Sequence, residues 1–498
     1  MNRRPTGVPG LDLVLGGGLE LGSTVLVAGA PGTGKTILAQ QVCFANATAQ
    51  HRAVYYTTLS EPHTKLVRHL QQFAFFDSGS LGPRVEHVHL GDLLRDKPQA
   101  GLQPLVSEVV RKTLEAQPAV VVIDSAKMLR DLVGESELRA AFYDLTSRIG
   151  HTQTVLLLAG EYTPDEMAGD VEFSLADGII QLAYQPREPV DRRWLRVVKL
   201  RGGSHREGKH TFRIGSPSGF EVFPRIETLV PARAAEVSGR ISTGTRRLDE
   251  LMAGGPAAGD ANLILGPSGA GKTIFALRYV AEGVEKGEHC LYVTFQDTED
   301  QLIAMAAGFG WDLQTARAAG QLTISYVPMG SLDLDVVAAV VREDLSTRPV
   351  RRVVIDSLSE LAAAAREADR FPAYKRSLNG LIRAAGASLV VTSETTTLGP
   401  PTEPLGGLMF LFNNVIQLRY IEHASQVGRA VNIVKMRNSH HDMGLHAFTI
   451  TEHGLTIGDK LEGIAGLLGW SALRAEAVAV RLNEAVPVGG RQASEMPR

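Results

Sequence analysis

Two runs in this chain have the composition and spacing to hold phosphate. Gly29-Ala30-Pro31-Gly32-Thr33-Gly34-Lys35-Thr36 and Gly266-Pro267-Ser268-Gly269-Ala270-Gly271-Lys272-Thr273 share the pattern Gly-x-x-x-x-Gly-Lys-Thr, the P-loop, and each follows an apolar stretch and opens a helical one. Glycines let backbone amides wrap an anion at a helix N-terminus, where the peptide dipoles favour negative charge. The pattern predicts that Gly32, Thr33, Gly34, Lys35 and Thr36, with Ser268, Gly269, Ala270, Gly271, Lys272 and Thr273, cradle the phosphates of ATP. Lys35 and Lys272 would meet the β and γ phosphates, and the hydroxyls of Thr36 and Thr273 would hold Mg²⁺. Such a site needs a carboxylate at the end of a dry strand to orient the metal's water. Asp124, after Val121-Val122-Ile123, and Asp356, after Val353-Val354-Ile355, are expected there, although aspartate also caps helices.

Hydrolysis further requires a group that orients or deprotonates water. Glu61 in Thr58-Leu59-Ser60-Glu61-Pro62 and Asp297 in Thr294-Phe295-Gln296-Asp297-Thr298 are the catalytic candidates, each just after the strand that follows the P-loop helix. A solvated carboxylate at a helix entry is the alternative. Near the end of each half, Lys199-Leu200-Arg201 and Lys435-Met436-Arg437 alternate cations as a strand would, so both would face one side. They could stabilise charge on a transferring phosphoryl group or simply form an exposed face. Glu161 and Glu394 end core strands; each could sense a γ-phosphate or merely terminate the strand.

The elements that must place these groups repeat. Thr6-Gly7-Val8-Pro9-Gly10-Leu11-Asp12 returns as Thr243-Gly244-Thr245-Arg246-Arg247-Leu248-Asp249, and the P-loop returns with the same separation of 237 residues. Near-constant spacing means one duplicated domain. Within each copy, β-branched apolar runs alternate with amphipathic stretches, which predicts an α/β fold with a mainly parallel twisted sheet flanked by helices. The expected division is 1–235, 236–460 and a tail 461–498 whose end is disordered. Apolar residues at 44% and charged residues at 21% suit a globular protein, and a net charge of -3 does not advertise a nucleic-acid partner. The two cysteines, Cys43 and Cys290, fall in different copies and offer neither a disulfide framework nor a zinc site. A polar start, Met1 to Pro9, and the absence of an apolar run of about 18 residues predict a cytoplasmic protein without a membrane span.

With these residues assembled, the chain resembles the RecA class of P-loop ATPases and, within it, the KaiC family, over roughly residues 1–460. The Thr-Gly-x-x-x-Leu-Asp opening, the paired P-loops and the Lys-x-Arg-x-x-x-His element near the end of each copy carry the resemblance. It implies a slow ATPase acting as a signalling or timing switch in a homo-hexameric double ring, with protein partners of unidentified kind. It would make Lys199, Arg201 and His205, with Lys435, Arg437 and His441, groups donated to a neighbour's nucleotide. Two departures stand out. Where the family often has Glu-Glu, the copies have Ser60-Glu61 and Gln296-Asp297, which predicts a better hydrolase in the first copy. Counting back from Tyr420 puts Met409-Phe410 at the Ser-Thr pair that clock members phosphorylate, and neither has a hydroxyl. A serine/threonine autokinase, a DNA-dependent motor and a nucleotide-stabilised scaffold are the competing expectations.

Overall fold

The computed structural model describes residues 3–57, 63–90, 101–186, 191–229, 237–365, 369–395, 408–423, 426–437, 439–461, 464–465 and 473–474. The chain divides into two compact units, Met1–Leu229 and Val230–Arg498. Glu61 and the end of the expected tail, 475–498, lie outside the described residues, as does the expected boundary at 235/236.

In the first unit the strands run in chain order β1 Arg3–Arg4, β2 Leu19–Glu20, β3 Thr24–Ala28, β4 Ala53–Thr57, β5 Val85–His89, β6 Val120–Asp124, β7 Val155–Gly160, β8 Gly178–Gln185, β9 Arg192–Leu200, β10 His210–Gly215 and β11 Gly219–Phe223. Nine of them form one sheet in the order β11-β10-β9-β8-β3-β7-β6-β4-β5. From β8 to β5 all neighbours are parallel; β9 to β11 return as an antiparallel meander. The second unit repeats this with β12 Ala261–Gly266, β13 His289–Thr294, β14 Leu322–Tyr326, β15 Val350–Asp356, β16 Ser388–Glu394, β17 Asn414–His423, β18 Gln426–Met436, β19 His446–Thr451 and β20 Gly454–Lys460, ordered β20-β19-β18-β17-β12-β16-β15-β13-β14. Each unit is thus a mixed, mostly parallel sheet flanked by helices.

Burial on both faces explains the unbroken apolar runs in the parallel strands. Along β3, Val25 and Val27 pack with Leu38 and Val42 of the helix Lys35–Asn46, while Leu26 and Ala28 face Leu138 and Leu145 of the helix Glu135–Ile149. The period-2 alternation of strand side chains builds these two cores from one strand. The Thr-Gly opening is a backbone lock: Asp12 accepts from the Thr6 amide at 2.9 Å, and Asp249 accepts from the Thr243 amide at 2.8 Å and its hydroxyl at 2.7 Å.

β3 lies between β7 and β8, and its connection crosses two strands to reach β4. Such a central strand, at whose carboxyl end the flanking connections diverge, opens a crevice for ligand. That end carries the P-loop in each unit.

Candidate nucleotide-binding sites

Each P-loop turns into its helix through a left-handed glycine, Gly34 at φ 97° and Gly271 at φ 102°. A Cβ at Gly34 would lie 2.2 Å from Ile214 Cδ1, and one at Gly271 would lie 2.9 Å from Ile450 Cδ1, so both conformation and packing require glycine. The lysines curl over their own loops: Lys35 Nζ donates to the carbonyls of Gly29 at 3.0 Å and Ala30 at 2.9 Å, and Lys272 Nζ to those of Gly266 at 3.0 Å and Pro267 at 2.9 Å. Burial lowers the pKa of both ammonium groups. Glu161 and Asp124 oppose that shift for Lys35; Glu394, Asp356 and Glu360 oppose it for Lys272. Thr33 is buried with its hydroxyl on the Ala30 carbonyl at 2.8 Å; its counterpart Ala270 is buried too.

The predicted metal-site partners meet in both units. Thr36 Oγ1 donates to Asp124 Oδ2 at 2.7 Å, and Thr273 Oγ1 to Asp356 Oδ2 at 2.9 Å. Tyr55 and Tyr292 hydroxyls donate to the same carboxylate oxygens at 2.6 Å and 2.8 Å. Asp356 has a third hydroxyl, from Thr392, where the first unit has Ala159 beside Asp124. Among the described residues no cluster of three or more His, Cys, Asp or Glu side chains is arranged to hold a metal alone. An oxygen-only threonine–aspartate pair nevertheless fits Mg²⁺, which usually takes one or two protein ligands and completes its shell with phosphate and water.

The second unit's cleft, about 280 Å³, is lined by the P-loop with Thr294, Gln296, Asp297, Asp356, Glu360 and Glu394. Asp297 is half-buried, and burial followed by the Asp356 charge raises its pKa above the ordinary value. Glu161, just beyond β7, stands 3.8 Å from Lys35 Nζ. The sequence reading missed Glu360, whose carboxylate accepts from Gln296 Nε2 and Ser357 Oγ.

The Lys-x-Arg elements point elsewhere. Arg201 and Arg437 are not on strands, because β9 ends at Leu200 and β18 at Met436. Each arginine lies one residue past its strand, yet its amide still pairs with the neighbouring chain, Arg201 with the Asp177 carbonyl at 2.8 Å and Arg437 with that of Asn413 at 3.1 Å. Lys199 Nζ donates to the carbonyls of Phe173 at 3.3 Å and Ser174 at 3.0 Å, and Arg201 lies 3.6 Å from Asp177; all three acceptors belong to the chain entering β8. Lys435 Nζ likewise binds the Met409 and Phe412 carbonyls at 3.2 Å and 2.8 Å, and Arg437 that of Phe410 at 3.1 Å. These groups serve the amino-terminal end of β8 and β17, whereas the P-loops sit at the carboxyl end of β3 and β12. His205 is half-buried; so is His441, whose Nε2 is enclosed without a hydrogen-bond partner.

A second feature missed in the sequence is a tyrosine–arginine pair touching each P-loop. Arg193 packs over Tyr184 at 5.5 Å and donates to the Gly32 carbonyl at 3.1 Å. Arg429 packs over Tyr420 at 5.8 Å, and Tyr420 donates to the Ser268 carbonyl at 3.2 Å. Both residues recur after 236 positions, a signal as regular as the P-loops themselves.

The sequence profile of the KaiC ATPase family matches residues 4–227 and again 241–462. The chain belongs to the KaiC family. Along its length it is similar to the circadian clock oscillator protein KaiC of Parathermosynechococcus lividus, 26% identical over 95% of this chain and 88% of that protein. It is as similar, at 26% over 94% and 92%, to the protein of that name from Thermostichus vulcanus, and 25% identical to the circadian clock protein KaiC3 of Synechocystis sp. over 93% of each chain. Membership in the KaiC family implies ATP binding and ATPase activity in general. Among the described residues, no helix is long and apolar enough to cross a membrane.

Proposed function

We propose that this KaiC-family chain is a slow ATPase that works as a nucleotide-dependent signalling switch, one ATP bound by each unit and each site completed by a neighbouring copy in a homo-hexameric ring. The observation that carries this reading is the repeated constellation of P-loop, lysine held on the loop carbonyls and hydroxyl-bound aspartate, paired with a Lys-Arg element turned away from its own P-loop.

On ATP binding, Lys35 and Lys272 exchange loop carbonyls for phosphate oxygens, a charge-assisted contact stronger than the one given up. Thr36 with Asp124, and Thr273 with Asp356, would hold Mg²⁺, which when bound neutralises charge on the β and γ phosphates. Glu61 orients the attacking water in the first unit; Asp297 is the shorter counterpart in the second, so the first unit turns over faster. Lys199, Arg201 and His205, with Lys435, Arg437 and His441, reach the nucleotide of the adjacent copy. Tyr184 with Arg193, and Tyr420 with Arg429, line the same loops. Slow turnover suits a switch, since a ligand shifts an equilibrium only through differential affinity for two states. Protein partners of the switch read those states.

Light scattering after size exclusion, with and without ATP, coupled to phosphate release tests the assembly. Hydrolysis by a monomer would remove the trans role of Lys199 and Arg201. Comparing Glu61→Gln with Asp297→Asn tests the ranking of the units; a larger loss from Asp297→Asn would reverse it.

A further inference from the structure

We infer that Glu360 is a second catalytic carboxylate of the second unit, accepting the proton of the water that Asp297 helps to orient and that attacks the γ-phosphorus. The inference rests on the reading that this unit binds ATP.

Gln296-Asp297 leaves the second unit without a glutamate at the usual place, and Gln296 cannot take a proton. Instead, the Gln296 amide donates to one oxygen of Glu360, and the Ser357 hydroxyl, on the residue after Asp356, donates to the other. Each carboxylate oxygen offers two acceptor positions, so both oxygens keep one for water. Glu360 lines the same cleft as Lys272, Thr273 and Asp356, and its charge acts on the Lys272 ammonium. The first unit, where Glu61 is available, has Met128 at the matching position four residues after its aspartate. Glutamate stands at one of the two places in each unit.

Helix capping is the competing account, because Ser357 precedes the helix Leu358–Ala364 and Glu360 is its third residue. This chain shows what a capping box looks like: the Thr163 amide donates to Glu166 at 2.8 Å, and the Thr298 amide to Gln301 at 2.8 Å. Glu360 accepts from the Ser357 hydroxyl, as Gln301 does from that of Thr298, but it also accepts from Gln296, just past the end of β13, and among the described residues no bond from the Ser357 amide completes a capping box. The Gln296 contact ties the other oxygen to the cleft, whose lining includes both residues, which a cap alone does not require.

The step balances within the site. A water oxygen bonds to the γ-phosphorus while the bond from that phosphorus to the β–γ bridging oxygen breaks. The bond's electron pair leaves with ADP, and the water proton passes to Glu360 and on to solvent.

The test uses the full chain with Lys35→Ala, so that turnover reports on the second unit. Three quantities are read: phosphate release, affinity for a fluorescent ATP analogue, and the ATP-to-ADP ratio of nucleotide retained after purification. Glu360→Gln, nearly isosteric, is expected to cut phosphate release about 100-fold, the scale of general-base catalysis, with affinity held within about twofold and retained nucleotide shifted to ATP. Asp297→Asn is expected to give the smaller loss. Turnover within about twofold of the parent for Glu360→Gln, affinity falling in step with rate, a larger loss from Asp297→Asn, or no hydrolysis in the Lys35→Ala chain would each overturn the assignment. In the chain with both units intact, Glu360→Gln must still enrich retained ATP. A Lys35→Ala chain that binds no ATP analogue would instead remove the reading of the second unit as a nucleotide site.

Discussion

Matched by strand register, the two clefts agree at the phosphate loop and diverge one layer out. Ala159 and Met128 in the first unit correspond to Thr392 and Glu360 in the second. A methyl and a thioether have been exchanged for a hydroxyl and a carboxylate. The loop geometry tolerates almost no change, since glycine backbone and helix N-terminus do the holding, while the surrounding layer alters how firmly the aspartate is held and how acidic the cleft is. One scaffold can therefore keep binding while its two copies drift apart in rate and in their dependence on cation and pH.

The largest effects should come from the shared part. Lys35→Ala and Lys272→Ala are each expected to weaken ATP binding about 100-fold in their own unit, the loss of about 3 kcal/mol of charge-assisted contact. Titration of fluorescent nucleotide should then show one tight site per chain instead of two; loss of both from either change would mean the units do not bind independently. Next in size, Thr392→Ala should make the second unit resemble the first. Removing a hydrogen bond that orients a metal-site carboxylate costs about 10-fold in metal affinity, read as the Mg²⁺ concentration that supports nucleotide binding. No change would show that Tyr292 and Thr273 suffice to hold Asp356.

Chelating Mg²⁺ should penalise the second unit about threefold more than the first, because Asp297, Asp356, Glu360 and Glu394 line its cleft, and the first unit has Met128 where Glu360 stands. Nucleotide affinities in EDTA, measured in chains with one unit silenced, test this; equal penalties would erase the electrostatic difference.

The smallest expected effect concerns Lys375. Its ammonium lies 3.2 Å from the centre of the Phe412 ring, and burial, with the Lys435 charge second, lowers its pKa from 10.5 to about 7. Between those values the unfolded chain holds a proton that the folded one lacks, so stability rises with pH across that window and is lost as pH falls through 7. Lys375→Met is expected to raise the unfolding midpoint of the second unit by about 3 °C at pH 6.5 and to leave it nearly unchanged at pH 10, by calorimetry. An equal shift at both values would point to packing alone.

What the sequence disclosed follows from how local each signal is. The P-loops and the strands β3 to β7 are contiguous, and those strands were legible as apolar runs because burial on both faces leaves no polar interruption. Asp124 and Asp356 were legible as strand-ending carboxylates. Glu360 was not, because its role depends on Gln296 arriving from the end of a different strand, and Ser-x-x-Glu before a helix reads as a cap. Lys375 was hidden for a similar reason: on an amphipathic helix a lysine reads as solvated, and only packing against Phe412 shows otherwise. The antiparallel return of β9 to β11 also escaped, and with it the fact that Arg201 lies past the strand end.

The orientation of the Lys-Arg elements has a genetic corollary under the proposed assembly. A copy with a ruined P-loop would still lend its cations, and a copy with ruined cations would still bind nucleotide. Two defective chains, each inactive alone, would then complement one another when mixed, and one defective chain in a ring would silence a neighbour's site as well as its own. Activity would count junctions rather than chains.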